Sequence, residues 1–340
     1  MGKGAGIAMR RKHCKLLQWF FDLRCATLIS FAVGYWMLTN QISFAQPGGT
    51  AGAFSRMGYG ARGMGMGNAL AAVSIGEIAT YYNPALAPFA GERTAAATFS
   101  LLSLDRNLNF LSYTQSVKPT AGISLGLINK NIGNIDSRDA YGNHLENLST
   151  TENQFYIAFA NRLSRYFSIG VNVKLLYAKL YKGVSSATVG FDGGVLIRTK
   201  KNISFAFVMQ DIGSKYHWNS KILYDLNGRD TDNKFATLKK FAVAYSLPES
   251  LGVISCEYET STQTSGMIRC GAEGILNEHF SLRAGLDRWF LNDKFAGMKP
   301  SFGFTVRGYI HELKPTLHYA YILEPFSPAA MHVVMLSFPI

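Results

Sequence analysis

In Ser168-Ile169-Gly170-Val171-Asn172-Val173-Lys174-Leu175-Leu176-Tyr177-Ala178, the residues Ile169, Val171, Val173, Leu175 and Tyr177 alternate with Gly170, Asn172, Lys174, Leu176 and Ala178. A period of two is the strand period, because successive side chains point to opposite faces. One face here is apolar, and the other is small or polar. The same pattern runs through Ile203, Phe205, Phe207 and Met209 against Ser204, Ala206, Val208 and Gln210. It returns in Phe302, Phe304 and Val306 against Ser301, Gly303, Thr305 and Arg307. A soluble β-sandwich also alternates, but it would turn its charged parity to water. The non-apolar parity here is rich in Gly, Ser and Asn, the pattern of a transmembrane barrel with a small-residue lumen and an apolar face toward outer-membrane lipid.

Working outward, the alternation predicts fourteen strands, at 93–104, 106–117, 120–130, 151–162, 165–181, 186–199, 202–212, 235–247, 251–261, 264–275, 278–290, 297–309, 313–323 and 330–340. Connections on one side are short, such as Lys118-Pro119, Leu163-Ser164, Lys200-Lys201, Pro248 to Ser250, Leu276-Asn277 and Ile310 to Glu312. The long ones, Asn131 to Thr150 and Gly213 to Lys234, all fall on the other side. Short periplasmic turns and longer outer loops are what an all-β, antiparallel outer-membrane barrel requires.

The composition agrees. Of 340 residues, 48% are hydrophobic and 13% aromatic but only 16% charged, and 33 are glycine. A soluble domain carries about a quarter charged residues. At the N-terminus, Arg10, Arg11, Lys12 and Lys15 precede an apolar run from Cys25 to Leu38 and a small-x-small signal at Ser43-Phe44-Ala45. Residues 1–45 are expected to be a cleaved secretory signal peptide. A retained anchor is the alternative, though Asp22 and Arg24 interrupt its span. Removing residues 1–45 leaves 28 basic and 21 acidic residues, so the net charge falls from +12 to +7. The remaining cations are scattered singly or in pairs, which gives nucleic-acid binding no support.

Two cysteines remain in an oxidising compartment, Cys256 and Cys270. A hairpin turning near Gln263 sets Cys256 opposite Cys270, Ile254 opposite Ala272 and Glu257 opposite Arg269. The cysteines are then either a cross-strand disulfide or two free thiols facing lipid.

Residues 46–92 differ from the rest, being rich in Gly, Ala and other small residues that cannot build a core alone. Gly60-Ala-Arg-Gly63-Met-Gly65-Met-Gly67-Asn-Ala69, Ala79-Thr-Tyr-Tyr-Asn83-Pro84-Ala85 and the final strand resemble the PorV/PorQ family of outer-membrane proteins, within the wider FadL-like superfamily. The resemblance extends over most of residues 46–340, including Gln210-Asp-Ile-Gly-Ser-Lys215. It implies a fourteen-stranded barrel over 93–340 with residues 46–92 as a luminal hatch. It also implies that Gly63, Gly65, Gly67, Asn83, Pro84 and Ala85 form the hatch motif, in a structural or a gating role. Pro84 biases Asn83 to an extended backbone, and the Asn83 amide can tie down neighbouring main chain. The final strand resembles a barrel-assembly signal, which usually ends on Phe or Tyr; here Ile340 is last, and Phe338 has the matching parity.

Function follows from the resemblance as an expectation. A PorV-like component of the type IX secretion system would dock or shuttle secreted cargo and meet a translocon through its outer loops. Tyr216, His217 and Trp218 in the long loop are candidate contacts for such a partner, or interface anchors. A FadL-like channel for hydrophobic small molecules is the alternative, and a structural subunit of another outer-membrane assembly is a third. No enzyme chemistry, cofactor or metal is expected. Gly58-x-Gly60-x-x-Gly63 lacks the βαβ setting of a nucleotide site, and Gly122-Ile-Ser124-Leu-Gly126 lies within a strand. His144, His217, His279, His311, His318 and His332 have no ligand spacing.

Overall fold

The computed structural model describes residues 51–181, 183–262, 266–290, 297–309, 314–325 and 327–340. Expectations for residues 1–50, which include the first five of the expected hatch, for the turn near Gln263 and for the turn at Ile310 to Glu312 lie outside the described residues.

In chain order the strands are β1 (Thr94–Leu101), β2 (Arg106–Val117), β3 (Ala121–Arg138), β4 (His144–Arg162), β5 (Phe167–Tyr181), β6 (Val184–Arg198), β7 (Ile203–Ile212), β8 (Lys215–Asn219), β9 (Asp230–Lys234), β10 (Leu238–Ser246), β11 (Gly252–Ser261), β12 (Gly266–Ile275), β13 (Phe280–Phe290), β14 (Lys299–Arg307), β15 (Thr316–Ile322) and β16 (Met331–Pro339). β1 to β7 and β10 to β16 form a closed antiparallel barrel of fourteen strands, while β8 and β9 pair separately. Closure is made by β1 against β16, from Thr94 opposite Pro339 to Leu101 opposite His332. Every wall strand therefore has two partners, which satisfies the backbone groups that lipid cannot.

The parity expected along β5 is the parity observed. Ile169, Val171, Val173, Leu175 and Tyr177 are exposed on the outer wall, and Gly170, Asn172, Lys174, Leu176 and Ala178 are buried.

Two stretches expected as loops are ordered hairpins. Residues 131–138 extend β3 and residues 144–150 extend β4, so the pair rises above its neighbours and turns at 139–143. Residues 213–234 fold into the β8–β9 hairpin, with a short helix at Lys221–Tyr224. Both were read as loops because no apolar parity marks them. Beyond the bilayer no lipid demands one, and polar cross-strand pairs such as Asn129–Asn153 at 2.7 Å and Lys130–Glu152 at 2.7 Å hold the β3–β4 ribbon at its base.

Residues 51–92 lie within the barrel. They contain a 3-10 turn at Ala53–Arg56, one helical turn at Ala61–Gly65 and a second 3-10 turn at Pro84–Phe89. Phe54, Tyr59, Met66, Leu70, Tyr81, Tyr82 and Leu86 from this segment join Leu108, Phe110, Ile128, Tyr156, Leu176 and Leu196 from the wall in one core. The small residues that could not make a core alone make one jointly with the lumen.

Candidate functional site in the barrel lumen

The seam between the hatch and the wall is set first by glycines of inward parity. A Cβ at Gly122 would strike the backbone of Ala87 and Pro88, and one at Gly170 would strike that of Pro84 and Ala85. At Gly271 and Gly285 it would strike that of Met66 and Gly67. The small luminal residues of the strands are thus the places where hatch main chain rests on wall main chain.

The hatch motif sits at the centre of this seam. Asn83 is fully buried and extended, with φ of −157°. Its Oδ1 accepts from the Ala85 amide at 2.9 Å, while Nδ2 donates to the Ala71 carbonyl at 2.8 Å and the Val195 carbonyl of β6 at 3.3 Å. Pro84 opens the 3-10 turn, where no amide donor is needed. The Ala85 carbonyl accepts from Ser168 Oγ of β5 at 2.9 Å. Gly63 leaves room for the Tyr82 ring, and Gly65 for the stem of Arg283. Gly67, at φ of +60°, lies against the Leu286 backbone.

Three buried charge networks then fix the hatch to the wall. In the first, Arg62 pairs with Glu273, which also meets Arg283 at 3.1 Å, and Glu77 meets His318 at 2.8 Å and Ser337 at 3.0 Å. In the second, Asn68 donates to Asp287 at 2.9 Å. Arg269 bonds Asp287 at 2.7 Å, Glu257 at 3.0 Å and Glu259 at 2.6 Å. In the third, Ser55 donates to Asp211 at 3.1 Å, and Lys174 bridges Asp192 at 2.7 Å and Asp211 at 2.8 Å. Unpaired charges buried in this way would be costly, so the pairs belong together. Of these contacts only Glu257 opposite Arg269 follows from the hairpin register read in the sequence. The signal for the rest was present as charges on inward parity, at Lys174, Glu273 and Arg283, but their partners, Asp192 and Asp211 for Lys174, Arg62 of the hatch for Glu273 and Glu273 itself for Arg283, lie 10 to 211 positions away in sequence.

Above the hatch, rings form a column toward the long-loop end. Tyr59 meets Tyr81 edge-on at 4.6 Å and Phe110 at 5.5 Å, and Phe110 stacks with Tyr156 at 6.4 Å. Tyr216 on β8 caps this region against Phe235 at 4.8 Å and Trp218 at 5.1 Å, and its hydroxyl donates to Glu152 at 3.0 Å. Of the three loop residues expected as contacts, Tyr216 is therefore turned inward and covered. His217 is exposed, paired with Asp232 at 2.7 Å, and Trp218 is half-buried. Cys256 and Cys270 face each other on the outer parity of β11 and β12, Cα atoms 4.3 Å apart, with their sulfurs joined.

The hatch leaves a cavity of about 330 Å³ at the short-turn mouth, between residues 75–78 and 90–92 and the ends of β1, β12 and β14 to β16. A void of about 20 Å³ continues the seam upward, beneath Phe110 and Tyr156.

No protein-family model matches the chain, and no curated protein matches it. Solved structures do. The CymD monoaromatic hydrocarbon channel aligns with TM-score 0.59 and 11% identity, over 83% of this chain and 97% of that one. The Pseudomonas putida toluene transporter TodX aligns with TM-score 0.55 and 12% identity, over 83% and 96%. A Pseudomonas aeruginosa FadL homologue aligns with TM-score 0.56 and 10% identity, over 81% and 96%. The fold is FadL-like. At such identities the likeness establishes the barrel architecture alone and leaves ligand and partner to the residues themselves. In this FadL-like barrel those residues are ring-lined above the hatch and ion-paired around it.

Proposed function

We propose that this FadL-like barrel is a passive outer-membrane channel for hydrophobic small molecules. The observation that carries this reading is the aromatic column from Tyr216 and Phe235 down to Tyr59 and Tyr81, a run of buried rings in one continuous core that would meet an apolar solute once the hatch shifts. The solved barrels of the same architecture include ones described as hydrocarbon channels and a toluene transporter. Passage requires the hatch to shift, since charge pairs close the seam beneath the column. The test is uptake of labelled toluene and of a labelled long-chain fatty acid by cells carrying the barrel in their outer membrane. Uptake above that of empty cells, lowered by Tyr59→Asp, is expected. Uptake equal to empty cells for both compounds overturns the reading.

A second reading, docking or shuttling of secreted proteins as a PorV-like component of the type IX secretion system, draws on the hatch motif resemblance and on the raised β3–β4 hairpin. It gives a rigid scaffold a projecting arm. Affinity purification from solubilised outer membrane distinguishes the two, since a translocon or cargo should accompany the barrel only on this second reading.

A further inference from the structure

Three consecutive connections at the short-turn rim carry six basic residues and no acidic one. β2 passes to β3 through Lys118, β4 to β5 through Arg162 and Arg165, and β6 to β7 through Arg198, Lys200 and Lys201. These strands are neighbours in the barrel, so the cations form one arc. Elsewhere on the rim, Glu249 and Glu278 sit in the turns after β10 and β12, Glu92 and Arg93 offset each other before β1, and Arg307 and Lys314 flank the connection from β14 to β15 on the far side of the mouth.

Two of the six are placed differently from the rest. Arg162 and Arg198 have inward parity and converge on Phe89, the last residue of the hatch's second 3-10 turn. Their guanidinium carbons lie 5.8 and 4.9 Å from the ring centre. Among the described residues neither guanidinium has a hydrogen-bond or ion-pair partner. A phenyl face attracts a cation but does not neutralise it, and two like charges at one ring repel. The charges of the three luminal networks each meet an opposite charge, and Arg307, the half-buried cation at the end of β14, meets the Ser281 hydroxyl at 3.0 Å. This pair is left for a partner from outside.

We propose that this arc docks an acidic peptide segment of a periplasmic protein. The short-turn end of an outer-membrane barrel faces the periplasm. Lipid headgroups surround the ring from outside and can reach Lys118, Arg165, Lys200 and Lys201. Arg162 and Arg198 face the mouth, beside a hatch residue, where a chain entering from the periplasm meets them. Guanidinium groups bind carboxylates in paired hydrogen bonds, which suits Asp and Glu side chains. Neighbouring strands are about 4.8 Å apart, so the three turns span roughly 20 Å, the length of about six extended residues. The inference rests on neither functional reading.

The test uses the full chain in nanodiscs of phosphatidylcholine and a fluorescein-labelled hexaglutamate peptide, read by fluorescence anisotropy. Saturable binding is expected, weakened about tenfold or more by Arg162→Gln with Arg198→Gln, and weakened again by raising salt from about 50 to about 500 mM. Lys200→Gln with Lys201→Gln, in an exposed turn, should weaken binding in the same direction, and decides the matter if the arginine pair fails to fold. No binding above empty nanodiscs, or binding unchanged in both double variants, overturns the proposal. So does displacement of the peptide by phosphatidylglycerol placed in the nanodisc, which would assign the arc to lipid headgroups.

Discussion

Arg62 of the hatch donates from Nε and from Nη2 to a single oxygen of Glu273 on β12, at 3.0 and 2.6 Å, and both side chains are buried. A third donation, from Nη1 to the Glu77 carbonyl at 2.5 Å, ties the same guanidinium to its own segment. The arginine thus holds two parts of the hatch and one wall strand together. Arg62→Met keeps the bulk and removes the charge. Breaking one partner of a buried pair costs about 3–5 kcal/mol, less whatever Arg283 recovers by meeting Glu273 alone. The expected outcome is faster proteolysis within residues 51–92 while the barrel stays folded. Equal protection of the hatch in wild type and variant would refute this.

Gly193 and Gly194 are adjacent on β6 and should respond oppositely to the same change. A methyl group at Gly194 would meet Asn83 Oδ1 and the Pro84 ring, the centre of the hatch motif, whereas one at Gly193 meets nothing within 4 Å. Gly194→Ala is expected to unseat the hatch at a cost of about 1–3 kcal/mol, as overpacking does. Gly193→Ala, on the lipid side, should be neutral or stabilising by up to about 1 kcal/mol, because it restricts the unfolded chain. Thermal unfolding of the two variants checks both signs at once.

The Gly193–Gly194 contrast also marks how far the sequence could be read. Strand number, parity and the Cys256–Cys270 register are local properties, fixed by alternation and by turn positions, and they were legible. The hatch motif entered only through a family resemblance, and the sequence added a backbone reason at Pro84 and Asn83. The charge networks were not legible, since Arg62 and Glu273 are joined only when the barrel closes around the hatch. Tyr216, expected as a partner contact or an interface anchor, lies in a polar stretch where nothing indicates that it folds back as a hairpin over Phe235.

Cys256 and Cys270 lie in a hairpin whose register runs unbroken from Gly252 opposite Gly274 to Thr260 opposite Gly266. The expected state in an oxidising compartment is a disulfide. Alkylation of the unreduced protein should then add no mass, and alkylation after reduction should add two groups. A crosslink closing a loop of about 15 residues is worth about 3 kcal/mol when the unfolded chain is otherwise free. Here the β11–β12 ladder forms locally, so replacing both cysteines with serine should cost less than that and leave the barrel assembled. Two alkylated thiols before reduction would show the pair to be free.

Glu77 gives the hatch an acid-sensitive attachment. The residue lies on the hatch and not on a spanning strand, and one carboxylate oxygen faces both His318 Nε2 at 2.8 Å and Ser337 Oγ at 3.0 Å. Burial alone pushes its carboxyl up, but His318, Ser337 and the Arg62 charge together outweigh burial and hold it below its ordinary value. A carboxyl depressed in the folded state stabilises fully above its unfolded value, near 4.3, and that contribution is lost as pH falls through the lower folded value. Hatch protection against an acid-active protease should therefore be level above about pH 5 and decline below about pH 4. Glu77→Gln removes this carboxyl, so the variant should begin from weaker protection and decline less steeply over the same range. A wild-type and variant decline of equal steepness would show that Glu77 is not the group responsible.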